Sequence, residues 1–230
     1  MRLRRNLRFF ACAVIRAERR RLAKMCCRYF TEMSPELRPI VEAAEKSKLF
    51  LNRLSGLAKP LITEGEVFPD MLVPVIASNR AGKRAVFPMV WGYHEEGIRH
   101  LIINARSETA SEKRCFREGW AMHRCIIPAS RYYEWEHLLT PDGKKKTGAR
   151  YALMPRGDEL TRLCGLYRME GGYPHFVILT RQAGETVSFL HDRMPLILPK
   201  EAAERWIDPN QDPQALLSGA LTDLIAEKTG

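Results

Sequence analysis

Beyond Lys59-Pro60 the chain alternates short apolar runs with tight polar breaks, the texture of strands joined by turns. Residues 73–77, 85–91 and 101–105 are three such runs, separated by Asn79-Arg-Ala-Gly82 and His94-Glu-Glu-Gly97. Further strands are predicted at 125–127, 132–137, 151–154, 163–167 and 176–179. Pro141-Asp142-Gly143 and the lysines that follow read as a solvated hairpin tip. Before this region the spacing is helical. Ser34 is a candidate N-cap with Pro35 behind it, Pro39 delays the helix, and Val41, Ala44, Leu49, Leu51, Leu54 and Leu57 carry the apolar stripe. Helices are also predicted at 111–123, 186–190, 199–206 and 213–227. The strands are too irregularly spaced for βαβ units, so the pattern predicts one α+β domain with a mainly antiparallel core.

Composition changes this picture little; the distribution of charge changes it more. The chain has 230 residues, a hydrophobic fraction of 45% and a charged fraction of 28%, ordinary for a globular protein. Of the net charge of +10, residues 1–24 carry +8, nine Arg and Lys against Glu18, which leaves +2 for residues 25–230. Any basic surface on the globular part is therefore local. The apolar stretch from Phe9 to Ile15 is short and is followed by Arg-Ala-Glu-Arg-Arg-Arg, which a secretory cleavage site would not tolerate. Translation is expected to start at Met25, with residues 1–24 an upstream read-through or a processed segment. No apolar run reaches the ~20 residues of a membrane span. Six cysteines without regular spacing and without a CxxC pair argue against a disulfide framework and a cysteine zinc site, and fit a reducing cytoplasm.

Four groups of residues carry chemistry. In Met25-Cys26-Cys27-Arg28-Tyr29, removal of Met25 exposes an N-terminal cysteine. Its α-amine, with a pKa of ~7.7–8.0 against ~10.4 for lysine, is partly neutral at cellular pH. Amine and thiol together convert an aldehyde to a Schiff base and then to a thiazolidine, which no internal cysteine can do. In the strand at 101–105, Asn104 and Arg106 share a face and could orient a sugar and bind a phosphate. In Arg131-Tyr-Tyr-Glu-Trp-Glu136, Glu134 sits among aromatics, where desolvation would suit it to acid–base work. In His191-Asp-Arg-Met-Pro195, His191 is a candidate proton shuttle and Arg193 a phosphate contact. Each group also has an ordinary structural reading.

Their combination and order are specific. MCxRY at 25–29, PxxWG at 88–92, INARxET at 103–109, CxxPxxxxYEW at 125–135 and HDRMP at 191–195 make the chain resemble the SRAP family (SOS response-associated peptidase, abasic-site processing proteins) across nearly all of residues 25–220. The resemblance implies a single domain, 25–230, with a barrel-like antiparallel β core and peripheral helices. It implies a monomer that binds single-stranded DNA and cross-links to the ring-opened aldehyde of an abasic site, with no metal or organic cofactor. Cys26 would be the nucleophile. Asn104 would orient the sugar or the amine, Glu134 would assist ring opening and proton transfer, and His191 would serve the leaving sugar oxygen. Arg28, Arg106 and Arg193 would hold phosphates, with Thr180 and Trp91 as further DNA contacts. The chain departs from the family pattern in two ways: Cys27 stands where glycine is frequent, and Tyr93-His94-Glu95-Glu96 replaces bulky aromatics after Trp91-Gly92, bringing two carboxylates toward the DNA path. The same cysteine could instead make the chain an autopeptidase without DNA, and the basic arm could make it a non-enzymatic nucleic-acid binder.

Overall fold

The computed structural model describes residues 28–47, 59–140, 142–157 and 160–230. Two β-sheets and a layer of short helices make up the described fold. The smaller sheet runs in the order β12 (Leu224–Lys228), β8 (Lys145–Pro155), β7 (Arg131–Leu139), β1 (Tyr29–Thr31) and β2 (Gly65–Val67). The larger follows β11 (Arg193–Pro195), β10 (Tyr173–Gln182), β4 (Arg84–Trp91), β3 (Leu72–Ser78), β6 (Arg124–Ala129) and β9 (Thr161–Glu170). Strand β10 also pairs with β9, which brings this sheet round into a ring, and it carries β5 (Asn104–Arg106) alongside. Among the described strands, all pairings are antiparallel except β10 with β4 and with β5.

The continuous apolar runs have a direct cause. The larger sheet is covered on both faces, so consecutive residues feed two different cores. Val75, Ile127 and Ile178 face the smaller sheet, where Tyr29, Tyr132 and Leu153 meet them. Their neighbours Ile76, Ile126 and Val177 face α1 (Arg38–Glu45), α2 (Arg117–Met122) and α3 (Lys200–Trp206). Tight packing closes the ring: a Cβ at Gly165 would lie 2.7 Å from Val177 O and 2.6 Å from Ile127 Cδ1. The β3–β4 turn forms where Asn79 and Gly82 predict it. Asn79 Oδ1 accepts from the N–H groups of Ala81 and Lys83, and Gly82 takes φ +71°.

Several predicted helices are shorter or absent. Ser34 does cap a first turn, its Oγ accepting from Leu37 N–H at 3.2 Å, but α1 begins only at Arg38 with Pro39 in its first turn. The continuation over 48–58 lies outside the described residues. The helix predicted at 111–123 contracts to α2, and residues 107–116 wind through successive turns that bury Ala110 and Phe116. Residues 186–190 are turns rather than a helix. The helix predicted over 213–227 is overturned: α4 (Pro213–Leu216) and a 3-10 turn end at Gly219, and the chain then enters β12. The exposed edge of β8 needs a hydrogen-bonding partner, and β12 supplies it in antiparallel register from Leu224↔Pro155 to Lys228↔Tyr151. No described helix is long and apolar enough to cross a membrane.

Candidate functional site

Strand alternation places the central carboxylate. Tyr132 faces the core between the sheets, so Glu134, two residues on, shares that face and is only 5% exposed. Tyr151 of β8 lies directly opposite it in register. A bulge between Trp135 and His137 then re-aims the strand. The His137 ring consequently meets the His191 ring, 5.7 Å between centroids at 68°. His191 Nδ1 accepts from the N–H of Arg193 at 2.9 Å, while Asp192 Oδ1 stands 2.7 Å from the same nitrogen. The backbone contact needs a lone pair on Nδ1 and the carboxylate contact needs a hydrogen there, so the two contacts belong to different tautomers of the ring.

Strand β10 brings the other motifs to the same edge. Asn104 and Arg106 run parallel to Ile178 and Thr180, and Ser107 N–H donates to Thr180 O at 2.8 Å. Asn104 is half-buried and Arg106 exposed. On the other flank β11 pairs with Thr180, Arg181 and Gln182. Arg193 reaches back across β10: its Nη2 donates to Thr180 O at 2.8 Å, and Nη1 and Nη2 grip the Glu108 carboxylate at 2.7 Å each. Thus the segments around 104–108 and 191–195 are tied together through one arginine.

That fork has a pH signature. Burial pushes the Glu108 carboxyl up, but the Arg193 hydrogen bonds and charge, with backbone donors, more than offset this and hold it below the usual carboxylate range. A depressed folded pKa contributes stability above the unfolded value, lost as pH falls through the folded one. The Glu108→Gln chain is therefore expected to be less stable near neutrality by about 1 kcal/mol, the upper range for a half-exposed pair, with the difference fading under acid. Parallel urea unfolding at neutral and at acid pH measures this; a difference that persists in acid would contradict it.

Arg28 lies on the outer face of the smaller sheet. Its guanidinium stands over the rings of Phe68, at 4.5 Å, and Trp135, at 5.1 Å. Glu66 bridges it at 3.3 Å to Arg150 at 2.8 Å, and Arg150 stacks over Tyr133 at 4.6 Å. The carbonyl of Arg28 accepts from Tyr133 N–H, the neighbour of Glu134.

Two expected DNA contacts are corrected. Trp91 has no exposed surface: it is stacked on Phe176, packed against Tyr29, and donates from its indole to Ile103 O at 3.0 Å. It holds the residue before Asn104 in place from within the core. Thr180 is likewise buried, its Oγ1 donating to Ala105 O. The carboxylate pair after Trp91-Gly92 also differs from expectation, because Glu95 is paired with Arg168 at 3.2 Å. Tyr93, in the same segment, is buried.

Cys26 and Cys27 lie outside the described residues. Of the described thiols, Cys125 and Cys164 are fully buried, and burial pushes both well up, so they stay protonated and unreactive. Burial raises Cys115 as well. Glu66, His137 and Arg150 stand at the candidate site although the motifs do not single them out. Glu108 lies within INARxET, on the strand face of Asn104 and Arg106, whereas His137 joins the site only through the bulge.

The sequence profile described as SOS response associated peptidase (SRAP) matches residues 25–228. Abasic site processing protein YoqW of Bacillus subtilis is 38% identical over 153 residues, which cover 62% of this chain and 64% of that protein. Abasic site processing protein YedK of Escherichia coli is 33% identical over 145 residues, 58% of this chain and 60% of that protein. The matched part thus spans under two thirds of these relatives' length. Among solved structures, a phage-related protein of Bordetella bronchiseptica superposes with a TM-score of 0.66 at 25% identity, covering 89% of this chain and 94% of that one.

Proposed function

This chain belongs to the SRAP family, and from that premise we propose that it senses abasic sites in single-stranded DNA and traps them covalently through Cys26 as its N-terminal residue. The observation that carries the reading is the meeting of three separate motifs around β10. Asn104 and Arg106 lie beside it, Arg193 ties them to the His191 segment, and His191 meets the strand of Glu134. The names of the relatives, abasic site processing proteins, support the substrate class.

The chemistry follows from the substrate. The ring-opened sugar presents an aldehyde. The α-amine of Cys26 adds to its carbon, and loss of water gives the imine. The thiol then adds to the same carbon and its proton passes to nitrogen, closing the thiazolidine with one water released overall. Glu134, withdrawn from solvent, takes and returns the protons of ring opening and water loss. His191 serves the sugar oxygen, and Asn104 orients the sugar or the amine. Arg28 and Arg106 meet phosphates flanking the lesion. Arg193 reaches a phosphate only by exchanging Glu108 for it, so its first role is to hold the site together. The aldehyde is already electrophilic, so the reaction requires no cofactor.

The Met25–Cys26 bond must be open for this reaction, because an amide nitrogen forms no Schiff base. The peptidase in the family's description fits that step, with Cys26 freeing its own amine.

The Glu134→Gln chain tests the assignment. Cross-linking to an abasic oligonucleotide, followed on denaturing gels, is expected to slow by roughly 10²-fold, as for loss of a general acid–base. The glutamine keeps the shape and hydrogen-bonding reach and loses only the titration. An unchanged rate would remove Glu134 from the mechanism.

A further inference from the structure

A second constellation uses none of the residues assigned to the abasic-site reaction. His94 follows β4, Glu170 ends β9 and His175 lies near the start of β10. In the β9–β10 hairpin His175 pairs with Arg168, which puts Glu170 diagonal to it on the same face. One donor atom from each of the three lies within 4.8 Å of the other two. His94 Nδ1 is 3.0 Å from Glu170 Oε2, and the two imidazoles stand 5.6 Å apart at 72°.

We propose that His94, Glu170 and His175 form a binding site for a divalent transition-metal ion, with Zn²⁺ the ion the donors fit best. Two imidazoles and a carboxylate are zinc donors. Bonds of ~2.0–2.1 Å at tetrahedral zinc place two ligand atoms about 3.3 Å apart, close to the His94–Glu170 separation. These two donors already stand as neighbours on one ion would.

The surrounding groups are arranged as outer partners of such ligands. His175 Nδ1 lies 2.8 Å from Gly92 O and 3.7 Å from Glu170 Oε2. Nδ1 is thus the nitrogen beside Glu170, and an ion there takes it in exchange for the Gly92 carbonyl. Arg168 Nε donates to Glu170 Oε1 at 2.8 Å, and Oε2 accepts from the His94 backbone N–H at 3.1 Å while keeping a further lone pair for the ion. Arg168 is bonded in turn to Glu95, a carboxylate outside the ligand set that offsets its charge. A hydrogen-bonded carboxylate is one of the groups that fix ligand orientation in metal sites.

The ion's effect is structural. It ties the turn after Trp91-Gly92 to the β9–β10 hairpin. Gly92 makes that turn at φ +114°, which suits glycine because a side chain is disfavoured there and the Leu101 side chain closes off the space. No step of the cross-linking chemistry passes through the ion, so this inference stands or falls separately from the proposed function.

The test is calorimetric titration of ZnCl₂ into the full chain after iodoacetamide has blocked its accessible thiols, paired with thermal unfolding. The expected result is one ion per chain and a rise in melting temperature on adding zinc. His94→Ala and Glu170→Gln are each expected to weaken binding by more than the ~10–100-fold that loss of an outer partner costs; Arg168→Met falls within that range. The His94 side chain is 67% exposed, so His94→Ala leaves the zinc-free melting temperature unchanged while abolishing the gain. Absence of saturable zinc binding by the folded parent, or equal affinity in the parent and His94→Ala, would overturn the proposal.

Discussion

A Cys26→Ser chain with serine as its first residue forms no heat-stable adduct with abasic single-stranded DNA, under conditions where the parent forms one. The loss is complete rather than partial because the two functional groups act in sequence. The serine amine still condenses with the aldehyde, with a pKa near ~7.7–8.0 that leaves a usable neutral fraction. The hydroxyl, unlike the thiol, is a weak nucleophile without activation, so the imine stays open and hydrolyses on denaturation. Borohydride then separates the two steps: it traps the serine imine as a stable amine, while the parent adduct survives without reductant. The Cys27→Ser chain retains the adduct. Full yield of a reductant-independent adduct from Cys26→Ser would remove Cys26 from the covalent step.

The second large effect concerns the fold. Arg124→Met is expected to destabilise the protein by about 3–5 kcal/mol, since several buried carbonyls lose their donor at about 1–3 kcal/mol each. Arg124 is 2% exposed, and all five of its N–H groups have carbonyl partners. Nε donates to Trp206 O; Nη1 donates to Trp120 O and Ala121 O; Nη2 donates to Asp208 O and Gln211 O. Trp120 and Ala121 lie in the last turn of α2, and Trp206 ends α3. Two helix C-termini, each carrying partial negative charge and unpaired carbonyls, therefore converge on one cation. Methionine fills the volume but leaves those carbonyls buried without donors. Lysine restores the charge but has three donors and no planar fork, so it recovers only part of the loss. Urea unfolding monitored by tryptophan fluorescence measures this; an unchanged midpoint for Arg124→Met would show that the carbonyls find other partners.

The sequence shows the larger sheet well because its strands are buried on both faces. Runs such as 73–77 and 125–127 are apolar without interruption, and only strand or buried helix gives that pattern. It shows β12 poorly, since Leu224 is the one fully buried residue of a strand whose existence depends on the open edge of β8. The site divides the same way. Asn104 and Arg106 are legible because alternation within a strand is local. Trp91 and Thr180 are misread as DNA contacts because a motif marks a residue as constrained without saying which surface constrains it. Here the constraint is internal: Trp91 anchors Ile103, and Thr180 lends its carbonyl to Arg193. Arg124 gives no sequence signal as a structural cation, because its partners come from two helix ends and the loop beyond. His137 is hidden by the bulge that turns it toward His191.

The most direct test of the central claim is an intact mass of the protein beginning at Cys26, taken after incubation with a single-stranded oligonucleotide that carries one abasic site. The account predicts a heat-stable species at the mass of protein plus oligonucleotide minus one water, absent with an undamaged oligonucleotide. A folded protein with Cys26 confirmed as its first residue that gives no such species would contradict the covalent-trapping account and leave the autopeptidase reading as the function of this site.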